Sequence, residues 1–365
     1  MRRPIAIVTM KVLLFALIVL TTTQLTAQKV STSPAPGWLV KYTPDLSKKP
    51  NSKNIHDGFY LLVLEQQNNA EVNTVYHHYV RQIISEAGIQ NASEISVDYD
   101  PQYEKLVFHQ ITIHRNGESI NKLPSAVFKQ LQKEQDLSRF IYSGTYTAYH
   151  ILEDVRKGDQ IEYAYSIIGD NPIFAGKAER RFYLEAYEPI VNYYRNLIID
   201  TSRNVRFKIF NNAIEPTKRI EKRNAIYEWN KILVRESESY SNQPSWYNPY
   251  NYIQISEYSS WKEVAQWAIK VNKIPTPGPL LQQKINTFKQ AAKGDSARYL
   301  LTALRFVQDD IRYMGIEMGE YSHRANSPEK VLAQRFGDCK DKALLLCTML
   351  KNYGIDADLA YVNTE

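Results

Sequence analysis

Residues 337–354 read GDCKDKALLLCTMLKNYG, and they decide how the C-terminal part of the chain folds. Asp338 is one of the residue types that commonly cap the start of a helix. The apolar residues after it recur at helical spacing, and Gly354 suits the left-handed position that follows a helix. The stretch therefore predicts a helix that begins at Cys339 and directs this cysteine inward, towards whatever the helix packs against.

The first-turn position of Cys339 leaves two interpretations open. A thiolate is a nucleophile, and the partial positive charge of a helix start, together with Lys340 and Lys342, favours the thiolate. Amide groups at a helix start can also bind an oxyanion. Asp338 and Asp341 oppose the stabilisation of the thiolate with their negative charges. The alternative interpretation is a buried thiol that serves only as a small apolar side chain.

The other cysteine of the chain, Cys347, has a different environment. It lies eight residues further along the same predicted helix, which corresponds to about 12 Å along the helix axis. Disulfide partners need Cα atoms within about 7 Å of each other, so the two cysteines do not pair. Leu346 and Leu350 flank Cys347 and place it in the core. Two cysteines are also too few for a disulfide scaffold or a zinc ribbon.

The period of the apolar residues changes along the chain and indicates two kinds of structure. After Ile255 the period is helical, whereas between Gly58 and Glu236 it repeatedly alternates as in strands, with one helix predicted near 75–87. One clear alternation ends at the hairpin turn 116–117 and comprises Val107, His109, Ile111 and Ile113. Many short strands with hairpin turns indicate an antiparallel β-sandwich-like domain, so the chain as a whole is predicted to be α+β.

The N-terminus has the pattern of a secretory signal peptide. Two arginines and Lys11 precede the apolar run 12–20, and Ala27 follows at a position suited to cleavage. Nine apolar residues are too few to span a bilayer, which needs about 20. The sequence therefore predicts export to the periplasm or cell envelope, cleavage after Ala27, and no transmembrane anchor in the mature protein. An uncleaved anchor that begins at Ile5 is the alternative, but Lys11 interrupts it.

Shifts in composition divide the chain into five parts. The stretch after the leader is rich in Ser, Pro, Lys and Asn and has no sustained period, and a second Pro- and Asn-rich stretch separates the strands from the helices. The predicted parts are a signal peptide (1–27), a tether (28–57), a β-rich domain (58–236), a linker (237–254) and a helical domain (255–365).

Composition and charge exclude several classes of function. The 365 residues carry 45 Lys and Arg against 39 Asp and Glu, a net charge of +6, and part of this excess belongs to the leader. Basic residues cluster only briefly, so nucleic acid is not an expected partner. The sequence contains neither a glycine-rich phosphate loop nor a cluster of metal ligands, so we expect no cofactor and no metal.

The GDCKDKA motif follows VQDDIRYMGIEMG (307–319) and SPEKVLAQRF (327–336), and together they resemble the cysteine segment of the transglutaminase-like superfamily. Members of that superfamily have papain-like thiol folds. The β-rich region is similar to the domain of unknown function that commonly precedes such a domain in secreted bacterial proteins, notably of Bacteroidetes. The two resemblances cover about residues 58–365 and imply that the helical domain is the N-terminal part of a papain-like core.

The resemblance also implies roles for individual residues. In that family the motif cysteine is the nucleophile, which maps onto Cys339, and a His and an Asp follow it in the sequence. All seven histidines of this chain precede Cys339. We therefore interpret the transglutaminase-like domain as incomplete in this piece and expect no turnover from it alone. His323 is expected to face solvent. Asp338, as N-cap, and Lys340, as a local charge, are the residues predicted to support the site.

The resemblance implies an exported thiol enzyme that acts on amide bonds of peptides or proteins through Cys339, by hydrolysis or by acyl transfer. Peptidase, transferase and deamidase chemistry stay open, as do the substrate, the acceptor, the role of the β-rich domain and the oligomeric state. A non-catalytic envelope binding protein, built on an inactive fold of the same kind, is the alternative. A His and an Asp downstream of Cys339 in a longer reading frame would favour the enzyme.

Overall fold

The computed structural model describes residues 30–134, 137–234, 242–244 and 246–362. The predicted signal peptide and part of the predicted linker lie outside these described residues. Within them the chain has a β-rich N-terminal part and a helical C-terminal part, which confirms the predicted α+β class. None of the helices in these ranges is long and apolar enough to cross a membrane.

Strands precede helices along most of the chain, apart from one short helix among the strands and three two-residue strands among the C-terminal helices. The strands are β1 (Val30–Thr32), β2 (Phe59–Asn69), β3 (Thr74–Ile83), β4 (Glu94–Tyr99), β5 (Lys105–Arg115), β6 (Glu118–Asn121), β7 (Lys129–Gln132), β8 (Ile141–Tyr142), β9 (Tyr146–Ile151), β10 (Gln160–Ile168), β11 (Arg180–Tyr183), β12 (Ile190–Asp200), β13 (Arg206–Phe210), β14 (Thr217–Glu221), β15 (Asn224–Val234), β16 (Tyr252–Ser256), β17 (Arg312–Tyr313), β18 (Gly315–Ile316) and β19 (Phe336–Gly337). The α-helices are α1 (Glu86–Ala92), α2 (Trp261–Val271), α3 (Pro279–Ala292), α4 (Ser296–Asp309), α5 (Pro328–Gln334) and α6 (Cys339–Tyr353).

The largest sheet has nine strands in the spatial order β1-β5-β10-β3-β2-β12-β15-β14, with β6 paired to β5. Most neighbours are antiparallel, but β1 runs parallel to β5 and β12 runs parallel to β2. Parallel neighbours cannot be joined by a tight hairpin, and both of these pairs join strands that are far apart in the sequence.

Two three-stranded sheets, β4-β9-β7 and β11-β16-β13, cover one face of the large sheet. Phe108 belongs to the apolar cluster under the first small sheet, and Trp229 belongs to the cluster under the second. Tyr79 on β3 packs against both clusters, so both small sheets lie on the same face. The arrangement is a two-layered β-sandwich whose two apolar clusters both contact Tyr79.

The helix predicted near 75–87 is wrong, because most of these residues form strand β3. Apolar residues at 76, 79, 80 and 83 fit a helical period as well as they fit a strand. In the structure β3 pairs along its length with β2 on one side and β10 on the other. These tertiary pairings, which local sequence does not show, decide its conformation.

A β-bulge interrupts β5, because His109 is an extra residue with no paired partner in β10. The bulge reverses the alternation, so that Phe108 and Ile111 both face the core. The prediction that Val107, His109 and Ile111 lie on the same face of this strand is therefore wrong.

Residues of the predicted tether cross the other face of the large sheet and are bound there by buried side-chain amides. The amide of Gln67 accepts from the N–H of Val40 and donates to its carbonyl, both at 2.8 Å. The amide of Asn192 binds the N–H and the carbonyl of Asp45 at 2.8 and 3.0 Å. Each side chain thereby satisfies one backbone donor and one backbone acceptor, and the pairs attach residues 40–45 to the sheet.

Four apolar surfaces, from α3, α4, α5 and α6, form the core of the helical part. Its buried members include Leu281, Ile285, Tyr299, Phe306, Val331, Leu345 and Met349. The hydroxyl of Tyr299 donates to the carbonyl of Met349 at 3.0 Å, so this aromatic side chain is buried with its polar atom satisfied.

A chain of histidines and glutamates runs across the polar face of the large sheet. The His78 ring lies 2.9 Å from Glu65 through Nδ1 and 2.8 Å from Glu162 through Nε2. The other oxygen of Glu162 lies 2.7 Å from Nε2 of His114. Burial alone would lower the pKa of His78, but the hydrogen bonds to Glu162 and Glu65 outweigh it and raise this pKa to about 9. Burial would raise the pKa of Glu162, but its two histidine partners lower it to about 2.

We predict that this chain of side chains makes stability depend on pH. The pKa of His78 is raised from 6.5 to about 9, so its contribution is complete below pH 6.5 and is lost as the pH rises towards 9. The pKa of Glu162 is lowered from 4.5 to about 2, so its contribution is lost as the pH falls through that range. Urea unfolding at a series of pH values should show that the free energy of unfolding falls above pH 6.5. In His78→Gln this dependence on pH should be weaker. His56→Gln, which removes a histidine without a carboxylate partner among the described residues, should leave the profile unchanged. An unaltered profile in His78→Gln would contradict this account.

Candidate functional site

The start of α6 is held by a reciprocal capping arrangement. Asp338 has extended backbone angles, and its side chain accepts from the amides of Lys340 and Asp341. The side chain of Asp341 accepts in turn from the amide of Asp338, at 3.4 Å. Both carboxylates are buried, at 1% exposure each. This arrangement satisfies amides that a helix start otherwise leaves unpaired and fixes the first residue of the helix, Cys339.

The two cysteines of α6 differ in exposure. Cys339 is exposed and Cys347 is buried, and both are free thiols. The expected inward orientation of Cys339 is therefore wrong: its side chain is exposed in the first turn, although Leu350, further along the same face of α6, belongs to the helical core. Burial and the nearby Asp358 raise the pKa of the Cys347 thiol.

Lys340 connects the helix start to the segment before it. Its ammonium group is paired with Asp338 and lies 3.2 Å from Glu317. Burial alone would lower the pKa of Lys340, but its hydrogen bond to Asp338 and the charges of Asp338 and Glu317 raise it. Burial and the charge of Asp338 raise the pKa of Glu317 against the influence of Lys340. The lysine is therefore held as a cation between two carboxylates, directly after Cys339.

Asp341 ties α6 to the start of α5. Its carboxylate accepts from the backbone N–H of Asn326 at 2.6 Å and from the Asn326 side chain at 3.1 Å. Burial and the nearby Asp338 raise the pKa of Asp341. From the sequence, Asp341 was predicted only to oppose a thiolate with its negative charge, so its part in the cap was missed. Its spacing of three residues from Asp338 is the signal that could have identified the capping box.

Residues 312–317 form an extended segment that lies between the start of α6 and the β-rich part. The amides of Arg312 and Met314 donate to the carbonyls of Arg335 and Gly337, next to β19. The amides of Gly315 and Glu317 donate, both at 2.8 Å, to carbonyls at the two ends of β8, in the β-rich part. One segment therefore joins the residues immediately before Cys339 to the other domain.

His323 also lies at this junction, and it is half-buried rather than directed into solvent. Its ring contacts Phe174 of the β-rich part, with centroids 5.1 Å apart, and Trp267 of α2, at 5.8 Å. Its Nδ1 lies 2.8 Å from the hydroxyl of Ser322. Burial and the charge of Lys340 lower the pKa of His323. Its described contacts are with the domain junction and do not include Cys339.

Among the described residues, no group of three or more His, Cys, Asp or Glu side chains is arranged to hold a metal ion. The structure thus brings Asp338, Lys340, Asp341 and Glu317 together around the helix start, and it presents Cys339 on the surface beside them.

We predict that alanine at position 337 disturbs this site. A Cβ atom on Gly337 would lie 2.6 Å from the Cβ of Asp341, so the helix start or the strand before it must move. We expect Gly337→Ala to lower the free energy of unfolding by about 1–3 kcal/mol, as overpacking commonly does. Gly315→Ala is the matched control, because its Cβ would meet its neighbours at 3.4 Å, an ordinary contact distance. Chemical denaturation of both variants tests the prediction, and equal stability would contradict it.

Both parts of the chain match known protein families. Residues 72–235 match a family model described as a domain of unknown function, DUF3857, and residues 282–364 match the model of the transglutaminase-like superfamily. No curated protein sequence matches the chain.

A crystal structure from Parabacteroides distasonis, described as a "putative protease", is similar with a TM-score of 0.64 at 14% identity. The match covers 82% of this chain and 59% of that one, so the chain spans somewhat more than half the length of that protein. At this identity the likeness shows the fold alone.

Two further structures are similar only in part. A family IIIA CBD from Clostridium cellulolyticum has a TM-score of 0.21 at 12% identity, covering 32% of this chain and 75% of that one. An M1 zinc metallopeptidase from Deinococcus radiodurans has a TM-score of 0.28 at 6% identity, covering 55% and 42%. Structural matches with such low TM-scores support no conclusion about this chain. The family matches confirm the resemblance found in the sequence: the chain carries a DUF3857 domain followed by a core of the transglutaminase-like superfamily.

Proposed function

We propose that this chain is part of an exported thiol enzyme that acts on amide bonds of peptides or proteins through Cys339. One observation carries the proposal: an exposed cysteine is the first residue of a capped helix within a transglutaminase-like core. The superfamily supports peptide or protein substrates in general. Hydrolysis and transfer to an amine both remain compatible with this position.

The geometry of the helix start suits the attack of a thiolate on a carbonyl. The amides of Lys340 and Asp341 donate to Asp338, which leaves the amide of Cys339 as the first-turn donor that the cap does not use. This N–H is adjacent to the thiol and can donate to an oxyanion that forms on the attacked carbonyl. The helix dipole adds positive potential at the same place, and Lys340 offsets part of the negative charge of Asp338 and Glu317.

The proposed step forms a bond between the Cys339 sulfur and the amide carbonyl carbon. The C–N bond then breaks, and the amine leaves with a proton from a general acid. Water or a second amine next takes the acyl group from the thioester, gives up a proton to the base, and restores the thiolate. By resemblance to the family, that acid and base is a histidine that follows Cys339 in the sequence.

Export rests on the N-terminal sequence. The basic start, the apolar run 12–20 and the small residue Ala27 support a cleaved leader and a mature protein in the periplasm or cell envelope.

We predict that the two thiols react at different rates. Cys339 should react first with iodoacetamide, because it is exposed, and Cys347 should be protected until unfolding, because it is buried and its pKa is raised. Peptide mapping after a brief reaction identifies the labelled residue. Label on Cys347, or equal label on both cysteines, would contradict the assignment of Cys339 as the nucleophile. It would favour the alternative of a non-catalytic binding protein.

Serine variants provide the matched control for this experiment. Cys339→Ser should remove the fast phase of labelling at little cost in stability, because an exposed first-turn position accepts serine. Cys347→Ser should keep the fast phase and cost roughly 1–3 kcal/mol, because it places a hydroxyl in the core.

N-terminal sequencing of the protein recovered from the cell envelope fraction tests export. We expect the mature chain to begin near Gln28, since Ala27 is the predicted cleavage position. An intact Met1 in that fraction would contradict cleavage.

A further inference from the structure

The outer side of α2 carries apolar side chains that stay exposed in the described part of the chain. Trp261 is 87% exposed and Ile269 is 68% exposed, and Ala265 between them is exposed as well. Side chains four residues apart lie on one side of a helix, so the three form a stripe. We propose that this stripe, together with the lysines beside it, binds the surface of a lipid bilayer that carries anionic headgroups. The proposal concerns binding and does not depend on Cys339.

Contacts with the β-rich part hold α2 by its inner side. The indole N–H of Trp267 donates to the carbonyl of Ile173 at 2.9 Å, and its ring stacks on Phe174 with the centroids 5.8 Å apart. Trp267 follows Ala265 by two residues, which places it about 200° around the helix from Ala265. The inner side is therefore used in folding, whereas the stripe is left for another partner.

The stripe continues into a cleft with a volume of about 990 Å³, and Trp261, Ala265 and Ile269 all line this cleft. Other apolar residues of the lining come from the segments before α3 and after α6, namely Ile274, Pro275, Pro277, Leu359 and Ala360. The exposed side chains of α2 therefore belong to one apolar surface, which acyl chains can enter beside the helix. Contiguous apolar surface of this kind commonly marks a site of protein or membrane interaction.

The charge beside the stripe is positive. Three exposed lysines in and directly after α2 have no carboxylate partner within the described ranges: Lys262, Lys270 and Lys273. Glu263, the acidic residue of α2, is paired with Lys177 at 2.9 Å. Asp358, the acidic residue that lines the cleft, is paired with Lys351 at 2.7 Å. The lysines therefore remain available to anionic headgroups, which attract basic residues near the surface of a bilayer.

A second copy of the chain fits this surface less well than a bilayer does. In a two-fold contact the same patch meets itself, so the lysines of the two copies would approach one another and repel. A helix with Trp and Ile on one side and Lys beside them is instead typical of helices that lie in the interface of a bilayer.

The length of α2 decides how it would bind a bilayer. Its 11 residues extend over about 16 Å, whereas the hydrocarbon core of a bilayer is about 30 Å thick. The helix is therefore expected to lie along the surface, with Trp261 and Ile269 directed into the apolar layer and the lysines at the level of the headgroups.

Flotation of the chain with lipid vesicles tests the proposal. One set of vesicles contains phosphatidylglycerol and phosphatidylcholine in equal parts, and the other contains phosphatidylcholine alone. We expect binding to the anionic vesicles to be at least tenfold stronger, because several lysines near a charged surface each add to the attraction. Added salt should weaken this binding by screening the charges.

Trp261→Ser is the decisive variant, and it should weaken binding about tenfold, a factor typical of burying one large apolar side chain. Replacement of both Lys262 and Lys273 by Gln should weaken binding to the anionic vesicles about 25-fold, because each lysine contributes about fivefold. Trp246→Ser is the matched control, since Trp246 is 70% exposed but lies between β15 and β16 and does not line the cleft. It should bind as the unaltered chain does.

All variants share one N-terminus, so any binding by the predicted leader is the same in each and cancels in the comparison. Urea unfolding should be the same for the two tryptophan variants and the unaltered chain, because both side chains are exposed. Equal binding to the two kinds of vesicle, or full binding by Trp261→Ser, would overturn the proposal. Self-association that Trp261→Ser abolishes, without binding to vesicles, would also overturn it and assign the surface to a second copy.

Discussion

The capping of α6 by Asp338 is the interaction on which the rest of the candidate site depends. This buried carboxylate accepts from two amides of the first turn and binds Lys340, which in turn approaches Glu317. A buried carboxylate is costly unless such partners compensate it, so the helix start, the lysine and the segment 312–317 are tied to one geometry. That geometry fixes the backbone of Cys339, the first residue of the helix, whose side chain is exposed.

The segment that approaches the site also joins the helical part to the β-rich part. The segment 312–317 donates hydrogen bonds to β8 on one side and to residues next to β19 on the other. Asn171 of the β-rich part also donates to the carbonyl of Gly319, at 3.0 Å. The DUF3857 domain therefore contacts the segment before the cysteine motif at more than one place, in addition to preceding it in the chain.

The sequence predicted the features that neighbouring residues determine. It missed those that depend on contacts with residues far away in the sequence. Asp338 as N-cap, Gly354 as helix end and a buried Cys347 each follow from a few neighbouring residues, and all three occur in the structure. The exposure of Cys339 depends on how much of the first turn of α6 the neighbouring segments cover, and no local pattern contains that information. The bulge at His109 and the pairing of β3 with two neighbours depend likewise on strands that are distant in the sequence.

The central claim is that the start of α6 makes Cys339 an acyl acceptor, and p-nitrophenyl acetate tests it directly. This ester needs no proton donor for its leaving group, so it reports the nucleophile separately from any histidine. We expect a burst of one p-nitrophenolate per chain, with one acetyl group on the peptide that contains Cys339, and no burst from Cys339→Ser. Absence of the burst, or an acetyl group on Cys347 instead, would contradict the claim.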